Sequence, residues 1–144
     1  MISNKSNRIL GIDYGIRRIG IAFSDLSALI ATGYEVYQSH GREKDIEYLC
    51  NLANQMQVTK VVFGLPLNAD GTESEQTLVT KNFAQSFADA AQIPVEFEDE
   101  RFSSLEAEEI LKRSKLSWQE RKKILDKVAA EVILQNYLNK IKRG

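Results

Sequence analysis

Two short apolar runs, Arg8-Ile-Leu-Gly-Ile-Asp13 and Ile19-Gly-Ile-Ala-Phe23, are joined by a brief connection that includes Gly15, Arg17 and Arg18. Runs this short and this close read as strand, tight connection, strand, so the chain must build a sheet. The strands are predicted over 8–13 and 19–24. Asp13 closes the first, with Gly11 before it and Gly15 after it. A carboxylate there can hold a cation or meet a phosphate, because a glycine lets a ligand approach the backbone. The position equally suits an ordinary turn aspartate.

Residues 28–37 predict a third strand, with Gly33 marking a bulge. The short connections make the three an antiparallel meander. From Arg42 the spacing turns helical, with Ile46, Leu49, Cys50 and Ala53 at i, i+3, i+4 and i+7. Lys60-Val-Val-Phe-Gly-Leu-Pro66 reads as a buried strand closed by proline. Thr72-x-x-Glu75 has the form of a capping box and predicts a helix to about Gln92, with Leu78, Phe83, Phe87 and Ala90 as its apolar residues. Pro94-Val-Glu-Phe-Glu98 alternates as a half-exposed strand near a sheet edge. Ser103-x-x-Glu106 and Ser117-x-x-Glu120 predict two more capped helices, ending near Arg113 and Ile141.

The order βββαβαβαα predicts an α/β fold, a mixed five-stranded sheet with helices on its faces, in one domain spanning residues 1–144. Ligands of such sheets bind beyond the carboxyl ends of parallel strands. Asp13, the segment from Gly64 to Asn68, and Asp99-Glu100 all fall at such ends.

Composition removes several chemistries. Cys50 is the only cysteine and His40 the only histidine, so a disulfide and a zinc site with several Cys or His ligands are excluded. A Ser-His-Asp triad would have to use His40, in a polar loop. No apolar run approaches the ~20 residues of a membrane helix. The opening stretch Met1–Asn7 is polar with no signal-peptide core, which makes the cytoplasm the default expectation. Charge is uneven: residues 1–100 carry 8 basic and 14 acidic side chains, residues 101–144 carry 11 and 6. That asymmetry suits an anionic partner for the C-terminal part, or a solvated helix face.

On the last helix Asp126 shares a stripe with Ala129, Ala130, Ile133 and Tyr137, which points it toward the sheet or makes it a plain rim residue at the border of the stripe. Glu131, about 140° round the helix from Asp126, is expected in solvent. If Asp13, Glu100 and Asp126 meet, carboxylates about 4 Å apart repel by roughly 4 kcal/mol at an effective dielectric near 20. They must then take up protons or recruit a hard cation, Mg²⁺ or Mn²⁺. Such ions support phosphodiester hydrolysis without histidine or cysteine. Arg17, Arg18, Arg101 and Lys127 adjoin these acids and suit phosphate contacts. Tyr14, Phe102 and Trp118 could stack on bases or simply belong to the core. No P-loop or dinucleotide fingerprint is present.

Leu10-Gly-Ile-Asp-Tyr-Gly15 with Arg18-Ile-Gly-Ile-Ala22, Gly64-Leu-Pro-Leu-Asn-Ala-Asp-Gly-Thr72, Asp99-Glu-Arg-Phe-Ser-Ser104 and Asp126-Lys-Val-Ala-Ala-Glu-Val-Ile-Leu-Gln135 resemble, in order, the blocks of the YqgF/RuvX family. That family comprises bacterial proteins named as Holliday junction resolvases or pre-16S rRNA nucleases. The resemblance implies a ribonuclease H-like fold and a cytoplasmic, metal-dependent nuclease with Asp13, Glu100 and Asp126 as its acids. It implies trimming of the 5′ end of precursor 16S rRNA, with ribosomal precursor particles as partners; a resolvase acting on branched DNA, or a non-catalytic RNA-binding protein, is the alternative. The chain would act as a monomer or weak homodimer. Two departures touch substrate contact: Lys127 replaces a commonly small residue, and Lys81 is the only cation between residues 73 and 90.

Overall fold

The computed structural model describes residues 6–143; Met1 to Lys5 of the polar opening stretch lie outside it. The strands β1 (Ile9–Tyr14), β2 (Arg18–Ser24), β3 (Ala31–Gln38), β4 (Lys60–Leu65) and β5 (Val95–Asp99) form one five-stranded sheet in the order β3-β2-β1-β4-β5. β1, β2 and β3 are antiparallel, whereas β4 runs parallel to β1 and β5 parallel to β4. The helices are α1 (Arg42–Gln55), α2 (Glu75–Ala91), α3 (Ser103–Lys112) and α4 (Trp118–Arg143). The mixed sheet and the order of elements are those read from the sequence.

Period-two alternation gives the sheet two unlike faces. Leu10, Ile12, Ile19, Ile21, Phe23, Val61 and Phe63 make a bulky face that packs with Leu49, Leu52 and Ala53 of α1 and Phe83, Ala84 and Phe87 of α2. Cys50 joins this core only partly buried. The other face is shallow. Its Ile9, Ala22, Ala31 and Val62 meet Ala130, Ile133, Leu134, Tyr137 and Leu138 of α4. Gly20 lets the helix backbone touch the sheet: a Cβ there would lie 2.0 Å from the carbonyl oxygen of Asp126. At Gly64 a Cβ would lie 2.5 Å from Ile133 Cδ1. α3 packs on the outer side of α4 through Ala107, Ala129 and Val132.

Several local expectations change. α2 begins at Glu75 with Ser74, not Thr72, as its cap. Ser74 Oγ accepts from the Thr77 N–H at 3.3 Å, and Thr77 Oγ1 accepts from the Ser74 N–H at 2.9 Å. Thr72 instead donates to Asp70 and closes the preceding loop. The buried positions of α2 are then Thr77, Thr80, Phe83, Ala84 and Phe87, while Leu78 and Ala90 are exposed. α3 has no side-chain cap at all; Ser103 Oγ donates to the Glu100 carbonyl at 2.9 Å. Ser117 and Glu120 do form the reciprocal box that starts α4, at 3.0 and 3.2 Å. β3 starts at Ala31 because Asp25 Oδ1 accepts from the Leu29 and Ile30 N–H groups at 2.7 and 2.9 Å and holds residues 25–30 as a turn. The bulge falls beside Gly33, where Ile21 pairs with Glu35 and Ala22 with Gly33. β5 is an edge strand, but its Glu98 is buried against Lys140 Nζ of α4 at 2.8 Å while Phe97 is exposed.

Glu131 is not free in solvent. Its Oε1 accepts from the Gly33 N–H at 2.8 Å, and Gln135 Oε1 accepts from the Ala31 N–H at 2.8 Å. α4 thereby covers part of the open backbone of an edge strand.

The close contact at Gly20 gives the first prediction. Gly20→Ala overpacks backbone against backbone and should cost at least the 1–3 kcal/mol typical of overpacking. Gly33→Ala should cost less, because its nearest obstacle is the flexible Lys127 stem at 2.7 Å, with the Lys127 carbonyl at 3.2 Å. Urea unfolding midpoints test the ranking; equal losses would contradict it.

Candidate active site

Asp13 is placed by the register of β1. It pairs with Gly20 of β2, and because Ile12 pairs with Phe63, Gly64 of β4 lies alongside it on the other flank. Both lateral neighbours of Asp13 therefore lack a side chain, and each gap is filled by an element carrying another acid. Asp126 sits over Gly20. Over Gly64, a Cβ would lie 2.9 Å from Glu100 Oε2. Glu100 itself is pinned just beyond β5: its N–H donates to the Leu65 carbonyl at 3.2 Å, and its carbonyl accepts from the Ser103 N–H at 3.1 Å and Ser103 Oγ at 2.9 Å. Ser103 is thus an anchor for Glu100, a role that a cap-like spacing in the sequence hides.

The Asp13 and Glu100 carboxyl groups are in hydrogen-bond contact. Burial, above all, raises the pKa of both; the charge of Asp126 adds to the rise at Asp13, and the charge of Asp13 to that at Glu100. Asp13 is pushed up to about 6 and Glu100 to about 9. The pair consequently shares one proton near neutral pH. Asp126 is turned to Arg18, whose Nε donates to its Oδ2 at 2.9 Å. Among the described residues, no three acidic, histidine or cysteine side chains come close enough together to hold one ion. What the fold assembles is a buried carboxyl pair, with a third acid beside it under the hold of an arginine. Two oxygen acids that retain a proton against neutral solution match the donor chemistry of a hard divalent cation, which would replace that proton.

Residues 7–140 match the model of the family described as RuvX, Holliday junction resolvase. The chain belongs to the RuvX family. It is 48% identical over 132 residues to a protein of Syntrophomonas wolfei named "Putative pre-16S rRNA nuclease", covering 92% of this chain and 94% of that one. Proteins of the same name from Halothermothrix orenii and Clostridioides difficile are 40% and 42% identical over the same shares. Two solved structures share the ribonuclease H-like fold at low identity. RuvC of Thermus thermophilus in complex with a Holliday junction substrate superposes with a TM-score of 0.59 at 14% identity, over 94% of this chain and 96% of that one. The Fowlpox virus resolvase complexed with Holliday junction DNA superposes with a TM-score of 0.56 at 12% identity, over 93% and 98%.

In this RuvX-family chain the basic candidates take unequal positions. Gly15 is required by the β1–β2 turn itself, since a Cβ would lie 2.6 Å from the Arg18 carbonyl oxygen. Gly15, Ile16, Arg17, Arg18, Gln76 and Asp126 line a hollow of about 390 Å³ beside the acids. Arg101 is tied down: it grips Asp99 through Nε and a terminal nitrogen, each at 2.8 Å, and donates to the Ala69 carbonyl at 3.2 Å. The same grip holds Asp99 below the usual carboxylate range. Glu100, not Asp99, is the residue in contact with Asp13. Lys127 lies over Gly33 of β3, two strands away from β1. Tyr14 is part of the core, stacked on Phe83 with ring centroids 4.2 Å apart. Phe102 and Trp118 are exposed. His40 is exposed and meets Tyr37 edge-on. Reasoning from the sequence set Gly64 at a strand end near the site but overlooked Gly20 and Gln76; the only trace of Gly20 is a glycine inside an apolar strand.

The raised pKa of Glu100 fixes a sign. The folded state binds a proton that the unfolded state has released, so this group lowers stability as pH rises from its ordinary value toward about 9. Glu100→Gln, which cannot ionise, should therefore gain stability over the wild type as pH rises from 5 to 8.5. Thermal melts of the metal-free proteins across this range test the difference; a constant offset would contradict it. Added Mn²⁺ should stabilise the wild type more than the variant.

Proposed function

We propose that this chain is a metal-dependent nuclease that hydrolyses phosphodiester bonds in structured nucleic acid. Its substrate on this reading is the 5′ end of precursor 16S rRNA, met in ribosomal precursor particles in the cytoplasm. The observation that carries the proposal is Asp13 between two glycines, with Glu100 and Asp126 brought over them. The names borne by the close relatives support the choice of RNA.

Asp13 and Glu100, joined by Asp126, would hold Mg²⁺ or Mn²⁺. Such ions, when bound, activate water and stabilise the leaving oxygen. The residues of the chain do the rest. Glu100 gives up the proton it shares with Asp13, and the pair becomes a site for positive charge. Arg18 has two anions to choose between: a substrate phosphate competes with Asp126 for its guanidinium and so frees the Asp126 carboxylate as an oxygen donor. Arg17 and the backbone at Gly15 meet neighbouring phosphates at the turn. Arg101 keeps the rim rigid by joining the Asp99 and Ala69 loops, and Lys127 reaches a more distant phosphate. These contacts give affinity without reading sequence, which suits a substrate recognised by its shape.

The family's description favours a second reading, resolution of branched DNA. Symmetric cutting of a four-way junction would need two copies acting together, whereas a single cut in RNA needs one. A cleavage assay with precursor rRNA and a four-way DNA junction separates the readings.

Asp13→Asn, which removes an anionic oxygen from the proposed cation site, should reduce cleavage by about 10²–10³-fold or more, the scale lost with one group that stabilises transition-state charge. Binding of the same substrate in EDTA should stay within a few-fold. Cleavage at the wild-type rate by this variant would remove Asp13 from the mechanism.

A further inference from the structure

Trp118 opens α4, yet its ring packs into no core and is 65% exposed. It forms the partition between two hollows. One, about 240 Å³, lies between α3 and α4 and is lined by Leu111, Lys112, Arg121 and Leu125 among others. The other, about 670 Å³, lies between the start of α4 and the β2–β3 strands, with Arg18, Val36, Gln38, Lys122 and Lys123 around the ring. The larger hollow falls within the roughly 300–1,000 Å³ of small-ligand sites. It carries three cations and no acid in its lining. Lys122 Nζ stands 5.1 Å from the Trp118 ring centroid. Arg18 lines both this hollow and the one beside Asp126, so one side chain belongs to both walls.

An open aromatic face beside an uninterrupted cationic wall is the arrangement that binds single strands: bases stack on the ring and the backbone follows the charge. Away from its ends, a base-paired duplex keeps its bases stacked on each other and offers none to the ring. We infer that Trp118 and the Lys122–Lys123 wall form a subsite for a single-stranded segment of the substrate, leading past Arg18 to the acids. The inference rests on the nuclease reading for the strand's destination, but not for its binding. It commits the enzyme to substrates with an unpaired stretch next to the cleaved bond, and makes Trp118 a positioning residue for that stretch.

Trp118 is the only tryptophan in the chain, so its fluorescence reports on this subsite alone. Intact protein in EDTA is titrated with an eight-nucleotide single-stranded RNA, the same sequence as DNA, and the blunt RNA duplex. Either single strand should quench the emission at saturation, and the duplex should leave it unchanged. By anisotropy of the labelled RNA strand, Trp118→Leu should bind about ten-fold more weakly, the loss expected for one stacked base. Trp118→Phe should recover most of that loss, and both variants should bind the duplex as the wild type does. No quenching by a strand shown to be bound, no binding of the strand at all, or Trp118→Leu within two-fold of wild type would each overturn the subsite. Quenching by the strand from a wild type that cleaves nothing would retain the subsite and remove the nuclease reading.

Discussion

The contact between the backbone of α4 and the centre of the sheet governs this molecule. A helix normally stands off a sheet by the depth of two layers of side chains. Here Gly20 contributes none, and the Asp126 carbonyl occupies the space its Cβ would need. Gly11 admits Leu134 and Gly64 admits Ile133 in the same way. The shallow face is therefore a matched surface, glycine and alanine below and the Ala130–Leu138 stripe above. Small residues on a strand lower its intrinsic preference for the sheet. The bulky opposite face, anchored by Phe63, Phe83 and Phe87, compensates.

This closeness creates the electrostatic problem that the site embodies. Asp126 cannot leave the neighbourhood of Asp13 without lifting the helix, and Glu100 is fixed by Leu65 and Ser103. The fold relieves the crowding by two devices, a retained proton between Asp13 and Glu100 and a guanidinium from Arg18 on Asp126. Both are substitutes for positive charge. Carboxylates crowded in this way are destabilising on their own, and the proposed cation would relieve them.

The fold was largely legible in the sequence because it rests on long periodic signals. The hairpin around Gly15, the stripe of α1, the run before Pro66 and the Ala129–Tyr137 stripe each declare one element. Asp13 and Glu100 were legible as acids at strand ends, and Asp126 as an acid in line with the apolar stripe of the last helix. What failed was chemistry decided at short range by competing partners. Thr72 and Ser103 both have Glu three residues on, yet Asp70 captures one hydroxyl and the Glu100 carbonyl the other. Glu131 looked solvated on a helical wheel, but the bulged edge strand comes up beside α4 and offers the N–H of Gly33. A wheel describes a helix on a flat surface, and this sheet is not flat. Nor could spacing tell that Tyr14 turns to Phe83 while Trp118 stays open, since each lies beside polar residues near an element end.

The uneven charge of the two ends takes on a different meaning in three dimensions. Much of the C-terminal excess is spent inside the molecule: Arg101 on Asp99, Lys140 on Glu98. Among the cations left outside such pairs, Arg121, Lys122 and Lys123 stand consecutively, and none of them forms an ion pair among the described residues. They sit just past the first turn of α4, at the positive end of the helix dipole, where cations gain nothing and acids are preferred. Lys122 finds a local partner in the Trp118 ring, and the charge of Lys123 acts on Glu120. Three adjacent cations beside an exposed tryptophan suit the single-stranded anion proposed above, a polymer long enough to reach from them to Arg18.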